Sequence, residues 1–588
     1  MVLKYALRMN LSFTGLASLV DMINSFFDSP VLPRSKYFVN KLLGCQGTQM
    51  TFHFFCPECM IYVGEGRPGV SLQCPECKRV CGSSPLCDAP FFVLFDIPSQ
   101  LQKLLKGCEF LDLTEPLEFN GTLSDMKDGS MYRDFVTATR KAGHRISFSW
   151  NTDGTPVFRS SRTSIWPIQL VVNELPVPER MRKLVLAGLW FGKEKLHMGI
   201  FQAPFVETMH SLADEGFLLH HKGKEKLFRG FCICCAVDSV ARAPMQGMKQ
   251  FNAYYGCNWC LHPGDTLGGK VVKYPVEQNA VERSEKQMVE DMEKAAMQDK
   301  PKPFNGVITV SPLINMPQFH IVWSFVPDYM HCVLLGVVRQ FLELWLESAG
   351  KTFYVGRSQQ AIDSRLMAVS PPKDVRRAPR PTKEKRFWKA KECENWLLFY
   401  SLPVLDGILD RQYLQHWACL VEALHIMLEP RVSFTDLAVA EGLLLDFHGN
   451  AEVLYGPECM TYNMHQLLHL GKSVRHWGPL WAHSAFPFEA GNGTLKAAVK
   501  ASNGIASQIG RMLQIDTVVE QCAELSTNQN ALEYCASLTK TLTKKAISTS
   551  EGVHFLGRGS PFMAPDCTVR NVCREVVLNS TVSALMVA

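Results

Sequence analysis

Two CPEC segments near the N-terminus constrain the fold of this chain more than any other feature. Fourteen residues separate the two segments, and the four cysteines concerned are Cys56, Cys59, Cys74 and Cys77. Each pair can direct two thiolates at one ion, and four thiolates complete a tetrahedral zinc shell. The alternative is a set of unliganded buried cysteines. Cys81 and Cys87 are spare thiols that could serve as alternate ligands. Four thiolates leave no open coordination position, so the predicted zinc site is structural.

Composition indicates a folded protein with room for several domains. The chain has 588 residues, of which 47% are hydrophobic and 20% charged, enough for about three or four domains. Its 21 cysteines suggest free thiols and metal sites rather than disulfides. The net charge of +5 is compatible with a nucleic-acid partner. No segment reaches the roughly 18 apolar residues of a membrane span, and no secretory signal is evident.

A run of strands is predicted from residue 145 onward. Ile146, Phe148 and Trp150 alternate with serines, which is typical of a half-buried strand. The continuous apolar segment 230–237 reads as a fully buried strand. The predicted order is strand, strand, strand, helix, strand, over 146–150, 165–175, 184–192, 204–217 and 230–237.

Two acids follow strands of this series. Asp153 follows the first strand in a turn, and Asp238 follows the last. If these strands are parallel neighbours, the two carboxylates lie side by side and need a cation between them. Glu489 begins an apparent helix within FPFEAGNG and would complete a pocket for two Mg²⁺ or Mn²⁺ ions, a set suited to phosphodiester chemistry. The alternative interpretation is that these acids are turn, cap or helix-start residues.

A second set of metal ligands is predicted across a long sequence separation. Cys257 and Cys260 form a CxxC, and His465 and His469 are spaced as HxxxH. Two thiolates and two imidazoles form a common structural zinc shell. Two further histidines compete as ligands, namely His262 and His331.

Contacts with DNA are predicted at basic residues. One group is a basic run over 373–391, which could equally be a solvated loop. Phosphate contacts there would make binding dependent on salt, and Trp477 could stack on an unpaired base. The candidate cations are Arg242, Arg376, Arg377, Arg380, Lys472 and Arg475.

Six motifs together resemble transposases of the CACTA (EnSpm-like) group and, more distantly, the recombinase of immunoglobulin gene rearrangement. The resemblance covers roughly 45–515. The motifs are TDG at 152–154, CCAVDSVARAP at 234–244, YGCNWCLHPG at 255–264, PDYMHCVLLG at 327–336, NMHQLLHL at 463–470 and FPFEAGNG at 486–493. It implies an α/β fold with a ribonuclease-H-like core split by a long, mostly helical insertion. It places the catalytic acids on Asp153, Asp238 and Glu489, and the core zinc ligands on the second Cys/His set.

The resemblance also implies an activity and a domain plan. The activity is cleavage and joining of double-stranded DNA at transposon ends in the nucleus, by at least a dimer, because transposition joins two ends. Alternatives are a domesticated, non-catalytic DNA-binding protein, a zinc-dependent protein-interaction module and a simple ribonuclease. The predicted domains are a helical lead (1–45), a zinc ribbon (46–97), a linker or DNA-binding region (98–144), the first part of the core (145–245), a helical insertion with zinc (246–475), the final core helix (476–520) and a C-terminal extension (521–588).

Overall fold

The computed structural model divides the chain into two compact units. One comprises 1–45 and 515–588, and the other comprises 46–514. The residues described are 1–32, 50–67, 70–81, 90–106, 119–158, 162–192, 196–221, 223–269, 271–277, 280–298, 302–372, 375, 377–539, 546–548 and 554–556. Within them, no helix combines the length and apolar character that crossing a bilayer requires.

A nine-stranded sheet forms the centre of the larger unit, which is mixed α/β. Its strands are β1 (Met50–Cys56), β2 (Ile61–Gly66), β5 (Phe91–Phe95), β7 (His144–Thr152), β8 (Thr155–Pro156), β9 (Ser164–Val172), β10 (Val185–Gly192), β11 (Phe217–His221) and β12 (Lys224–Cys235). They lie in the order β11-β12-β7-β9-β10-β5-β1-β2, with β8 paired to β9. Short pairs elsewhere are β3 (Leu72–Gln73) with β4 (Val80–Cys81), β6 (Thr122–Leu123) with β15 (Val432–Ser433), and β13 (Asp265–Leu267) with β14 (Val271–Lys273).

The five elements predicted from residue 145 are present, with further short elements between them. Strand β9 pairs antiparallel with both β7 and β10, and β12 then returns parallel to β7. The intervening helix is Met198–Asp214, which begins before the predicted 204–217 and tolerates Pro204 internally. Its Phe205 packs against Trp150 of β7, with ring centroids 5.4 Å apart. The sequence analysis did not predict β11, an edge strand whose Phe217, Leu219 and His221 alternate toward the interior.

The predicted boundaries between 46 and 520 do not separate compact units. Strands β1, β2 and β5 extend the large sheet, because β5 pairs with both β1 and β10. Phe55 of β1 stacks on Trp190 of β10 at 4.4 Å. The zinc-ribbon segment therefore shares its core with the following strands instead of forming a separate small domain.

Helices dominate the remainder of the larger unit. Between 98 and 245 they are α3 (Ile97–Leu105), α4 (Ser130–Ala138), α5 (Val177–Arg180), α6 (Met198–Asp214) and α7 (Ser239–Met245). Beyond these lie α8 (Glu285–Ala296), α9 (Val338–Glu347), α10 (Gln359–Ala368), α11 (Ala390–Asn395), α12 (Ser401–Leu405), α13 (Arg411–Leu428), α14 (Phe434–Tyr455), α15 (Tyr462–Gln466), α16 (Leu470–Trp477), α17 (Phe486–Ala498) and α18 (Ile505–Leu525).

The helical insertion has a core of its own. Phe341 and Trp345 of α9 pack against Trp417 of α13 and Phe447 of α14. The predicted single helix over 328–350 is instead a π-helical segment, Met330–Val337, followed by α9. Its Gly336 lies against α15, where an added Cβ would approach Nδ2 of Asn463 to 2.5 Å. The glycine therefore permits close contact between two insertion helices.

Helix α17 packs directly on the sheet through a glycine. A Cβ at Gly491 would overlap Oε1 of Gln169 and lie 2.5 Å from Leu184. Gln169, on β9, donates to Oδ1 of Asn492 at 2.8 Å and to the carbonyl of Phe488. Helix–sheet packing therefore occupies the space beside Gly491.

Gly491→Ala is expected to destabilise the protein by about 1–3 kcal/mol, because the added methyl group overpacks a buried contact. Gly493→Ala is the matched control. It lies on the same helix with nothing within 4 Å of an added Cβ, so its stability should be unchanged or raised slightly. Denaturant unfolding of both variants measures the difference. Equal stabilities would contradict this account of α17.

The smaller unit is described here by itself. It contains α1 (Val2–Arg8), α2 (Phe13–Asn24), the end of α18, α19 (Gln529–Thr539), β16 (Ala546–Ser548) and β17 (His554–Leu556). Leu3 and Leu7 of α1 pack against Ile515 and Val518 of α18. The segment predicted as a helical lead, 1–45, contains the helices α1 and α2, while its residues beyond 32 lie outside the described part of the chain.

Candidate metal centres

Among the described residues of the larger unit, three groups of side chains could each hold a metal ion. In each group, one ligand atom per residue lies within 4.8 Å of the others. The groups are Cys56, Cys59, Cys74 and Cys77; Cys257, Cys260, His465 and His469; and Asp153, His331 and Glu489. The first two match the predicted zinc sets, and the third joins two predicted acids with a histidine.

The sheet topology positions the first two predicted acids. Strands β7 and β12 are parallel neighbours, so their C-terminal ends meet at one edge of the sheet. Asp153 directly follows β7, and Asp238 follows β12 by three residues. Asp238 also caps α7, since its Oδ1 accepts from the backbone N–H of Ala241 at 2.7 Å. The cap interpretation is thus correct for one oxygen of Asp238.

The third acid reaches this edge on a helix. Glu489 lies in the first turn of α17, which Gln169 fixes to β9. One carboxylate oxygen of Glu489 lies 3.9 Å from Nε2 of His331. Asp153 and Glu489 belong to one group within 4.8 Å, whereas Asp238 lies outside it. Two of the three predicted acids, Asp153 and Glu489, therefore lie at one candidate metal centre, and Asp238 lies close to it.

Electrostatics link all three acids to one another. Burial, followed by the neighbouring charges of Asp238 and Glu489, raises the pKa of Asp153 to about 7. Burial alone would lower the pKa of His331, but its hydrogen bond to Asp328 and the charges of Asp328, Asp238 and Asp153 raise it to about 9. Converging carboxylates of this kind repel one another and fit a cation between them.

Sequence reasoning missed the role of two residues here. It treated His331 as a competing zinc ligand, whereas His331 lies at the acid cluster. Asp328, fully buried, accepts from Nδ1 of His331 at 2.8 Å and from the His331 backbone N–H at 2.9 Å. The available signal was the Asp-x-x-His spacing at the start of a helical segment.

The predicted Cys₂His₂ set comes together as a fully buried group. Sγ of Cys257 lies 3.3 Å from Nε2 of His469, and Sγ of Cys260 lies 3.2 Å from Nε2 of His465. The two histidine Nε2 atoms are 3.3 Å apart. The helix changes to a 3₁₀ turn at Leu467–His469. These four side chains could hold zinc.

Protonation and packing at this group suit a metal ligand set. Burial would raise the pKa of Cys257, but the hydrogen bond from Cys260 and the nearby His469 and His465 bring it well below its ordinary value. Burial lowers the pKa of His465, which favours the neutral imidazole that binds metals. His262 is not a ligand, because its ring nitrogens contact the Pro275 carbonyl and the Gly264 N–H, each at 2.9 Å.

The Cys₄ group lies at the end of β1 and beside the β3–β4 hairpin. Sγ of Cys56 lies 3.6 Å from Sγ of Cys77, and the backbone N–H of Cys59 points at Sγ of Cys56 at 3.5 Å. This group could also hold zinc. Cys81 is buried and outside the group, while Cys87 lies outside the described residues.

Several cations predicted to contact DNA have partners within the protein. Arg242 is buried, with its guanidinium 4.3 Å above the Trp259 ring and hydrogen-bonded to Gln466 and Val237. Its predicted DNA contact is therefore corrected to a structural role. Trp477 is likewise buried and donates to the carbonyl of Trp323 at 2.8 Å, so its ring is not available to stack on a base.

The other predicted cations are paired with acids. Lys472 forms an ion pair with Glu282, and Arg475 forms a bidentate ion pair with Glu441. In the basic run, Arg380 bonds both oxygens of Glu392, at 2.5 and 2.9 Å, and Arg377 lies 3.8 Å from the same carboxylate. Arg376 lies outside the described residues. The run is therefore partly a folded ion-pair network rather than a free basic loop.

A cleft of about 320 Å³ opens beside the acid cluster. Asp238 and His331 line one end of it. Phe251, Lys273 and Asn463 line other parts. The cleft offers aromatic, amide and cationic groups next to the acids.

Comparison with known proteins gives no further assignment. No family model matches the chain, and no curated protein matches it.

Proposed function

We propose that this chain is a DNA transposase that cuts and joins double-stranded DNA at transposon ends, using Asp153, Asp238 and Glu489. The observation that carries the proposal is the convergence of these acids at one sheet edge. Two of them share a group within 4.8 Å, and the third is close enough to raise the pKa of Asp153. Shifted pKa values of this kind cluster at functional sites.

The order of strands supports a ribonuclease-H-like core, which we include in the proposal. Three antiparallel strands, a helix and a strand parallel to the first are the arrangement that the CACTA resemblance implies. The isolated parallel bridge from Cys235 to Phe325 continues the sheet beyond β12. Strands β1, β2 and β5 extend the sheet beyond the proposed ribonuclease-H-like core.

The acids have distinct roles in the proposed reaction. Asp153 and Glu489 supply carboxylate oxygens, the ligands preferred by Mg²⁺ and Mn²⁺. Asp238 keeps one oxygen on its helix cap and offers the other. Two bound ions would lower the pKa of the attacking hydroxyl and stabilise the leaving oxygen of a phosphodiester. The adjacent cleft of about 320 Å³ would receive one nucleotide of the DNA beside the acids.

The two cysteine-containing groups act as scaffold in this proposal. The buried Cys₂His₂ group joins the segment after β12 to the segment before α17, across more than 200 residues. With zinc bound, it fixes the distance between the elements that carry Asp238 and Glu489. We further propose that the protein acts in the nucleus on two DNA ends as at least a dimer.

Nicking and strand joining of supercoiled plasmid DNA test the proposal. Purified protein, checked for zinc content, should convert plasmid to nicked and joined products in Mn²⁺, and EDTA should stop the conversion. Binding of DNA without any nicking in Mn²⁺ or Mg²⁺ would favour the domesticated, non-catalytic alternative and contradict the enzyme proposal.

A further inference from the structure

We propose that His331 is an additional ligand of a divalent ion held by Asp153 and Glu489, and that Asp328 is its positioning residue. The inference rests on the proposed function in taking these acids as an ion-binding site. It adds a nitrogen donor to a set that the sequence analysis described with oxygen donors only.

The position of His331 fits one coordination sphere. Its Nε2 lies 3.9 Å from Oε1 of Glu489, and ligand atoms of both residues and Asp153 lie within 4.8 Å of one another. Two ligands at about 2.1 Å from one ion can be up to about 4.2 Å apart. A small closure of the side chains therefore brings all three residues onto a single ion.

The orientation of the imidazole is set by a buried carboxylate. Oδ2 of Asp328 lies 2.8 Å from Nδ1 of His331, so the Nδ1 proton points at Asp328 and Nε2 faces the acids. An ion bound at Nε2 would displace the proton that the raised pKa of His331 keeps on that nitrogen in the metal-free protein. A carboxylate behind a histidine is the usual support of a metal-binding imidazole, because it fixes the tautomer and raises ligand basicity.

Asp328 also ties His331 to the helix that carries Glu489. Its other oxygen, Oδ1, accepts from the backbone N–H of Ala485 at 2.8 Å. Ala485 immediately precedes α17. One buried side chain thus fixes a histidine from the insertion and the start of the Glu489 helix relative to each other.

The local backbone is unusual at this histidine. His331 lies in the π-helical segment Met330–Val337. This conformation is rare in proteins overall, and where it occurs it is often at a functional site. A regular α-helix would rotate the side chains by a different angle per residue. The hydrogen bond to Asp328 holds the His331 ring at the start of this segment.

A nitrogen donor alters which ion the centre prefers. Mg²⁺ favours oxygen ligands, whereas Mn²⁺ and later transition metals accept imidazole more readily. We therefore expect Mn²⁺ to bind more tightly than Mg²⁺, and this preference should shrink in His331→Ala.

Pulsed electron paramagnetic resonance of bound Mn²⁺ tests the inference directly. Wild-type protein with full zinc content should show ¹⁴N coupling to Mn²⁺, and His331→Ala should abolish it. Asp328→Asn should weaken it too, because a neutral amide supports the Nδ1 proton of His331 less strongly than the carboxylate that now accepts from that proton and from the His331 backbone N–H. Mn²⁺ affinity should fall about 10–100-fold in both variants. The control is His220→Ala, which removes an exposed histidine of β11 and should retain the coupling.

The outcomes separate this inference from the proposed function. Loss of the Mn²⁺ signal in the double variant Asp153→Asn, Glu489→Gln assigns the signal to the acid centre. Absence of Mn²⁺ from this centre, absence of ¹⁴N coupling in wild type, or its persistence in His331→Ala would overturn the inference. Nicking without nitrogen coupling would leave the transposase proposal standing and refute the role of His331. Nitrogen coupling without DNA cleavage would support the role of His331 and contradict the transposase proposal.

Discussion

Asp153→Asn, Asp238→Asn and Glu489→Gln are each expected to lower DNA nicking by more than about 100-fold while the protein stays folded. Loss of a residue behind a metal ligand already costs about 10–100-fold, and these changes remove the ligands themselves. The amides preserve side-chain shape. In Asp238→Asn, Oδ1 can still cap α7 as it does now. Initial nicking rates on supercoiled plasmid measure the loss.

Stability distinguishes a catalytic role from a structural one at Asp153. In the metal-free protein the pKa of this carboxyl is raised to about 7, by burial and then by its acidic neighbours. The folded state therefore binds the proton more strongly than the unfolded state, so ionisation of Asp153 reduces stability as the pH rises from about 4 to 7. Asp153→Asn removes that penalty, and its thermal midpoint at pH 7.5, in buffer without added Mg²⁺ or Mn²⁺ and with the structural zinc retained, should equal or exceed that of wild type.

Asp96→Asn is the matched control for these variants. Asp96 caps α3 by accepting from the backbone N–H of Ser99 at 2.9 Å, as Asp238 does for α7, and it is not part of the three metal groups. Its nicking rate should equal that of wild type. Wild-type nicking rates in folded Asp153→Asn or Glu489→Gln would refute the assignment of the acid centre.

Cys257→Ser is expected to reduce bound zinc from two ions to one per chain and to unfold part of the larger unit. The buried Cys₂His₂ group joins residues 212 and 205 positions apart in the chain. Apparent zinc binding at such sites is worth about 10–16 kcal/mol in small zinc domains, as much as the whole stability of a typical domain. Metal analysis and thermal unfolding measure both effects, and nicking should be lost with the fold.

A second cysteine variant controls for loss of a thiol. Cys419→Ser changes a half-buried cysteine of α13 whose Sγ contacts only the carbonyl of Gln415 among its hydrogen bonds described, and a serine hydroxyl can make the same contact. It should keep two zinc ions and the wild-type thermal midpoint. Two zinc ions and normal stability in Cys257→Ser would show that the Cys₂His₂ group is not a zinc site.

Short-range patterns predicted several elements and the two cysteine-containing groups. The CPEC spacing determines which thiols can meet, and the alternation of Ile146, Phe148 and Trp150 depends only on the two-residue period of a strand. Asp153 and Asp238 could be placed together because parallel strands end at one edge. These features follow from local geometry, which the sequence expresses directly.

Long-range partnerships could not be predicted in the same way. Nothing local to Arg242 indicates that Trp259 and Gln466 enclose it, and Arg380 reads as a free cation until Glu392 is placed beside it. His331 was assigned to the wrong group because both metal groups lie far from it in sequence. The joining of β5 to β10 likewise depends on pairing between distant segments, which residue periodicity does not specify.

The contact between Gln169 and Asn492 carries a consequence for synthesis of the protein. These partners are 323 positions apart in the chain, so at 5–20 residues per second the ribosome needs about 16–65 seconds to deliver the second after the first. Throughout that interval the nascent polypeptide carries Asp153 without Glu489. On the proposed function, a chain truncated before Glu489 therefore lacks part of the acid centre and cannot cut DNA.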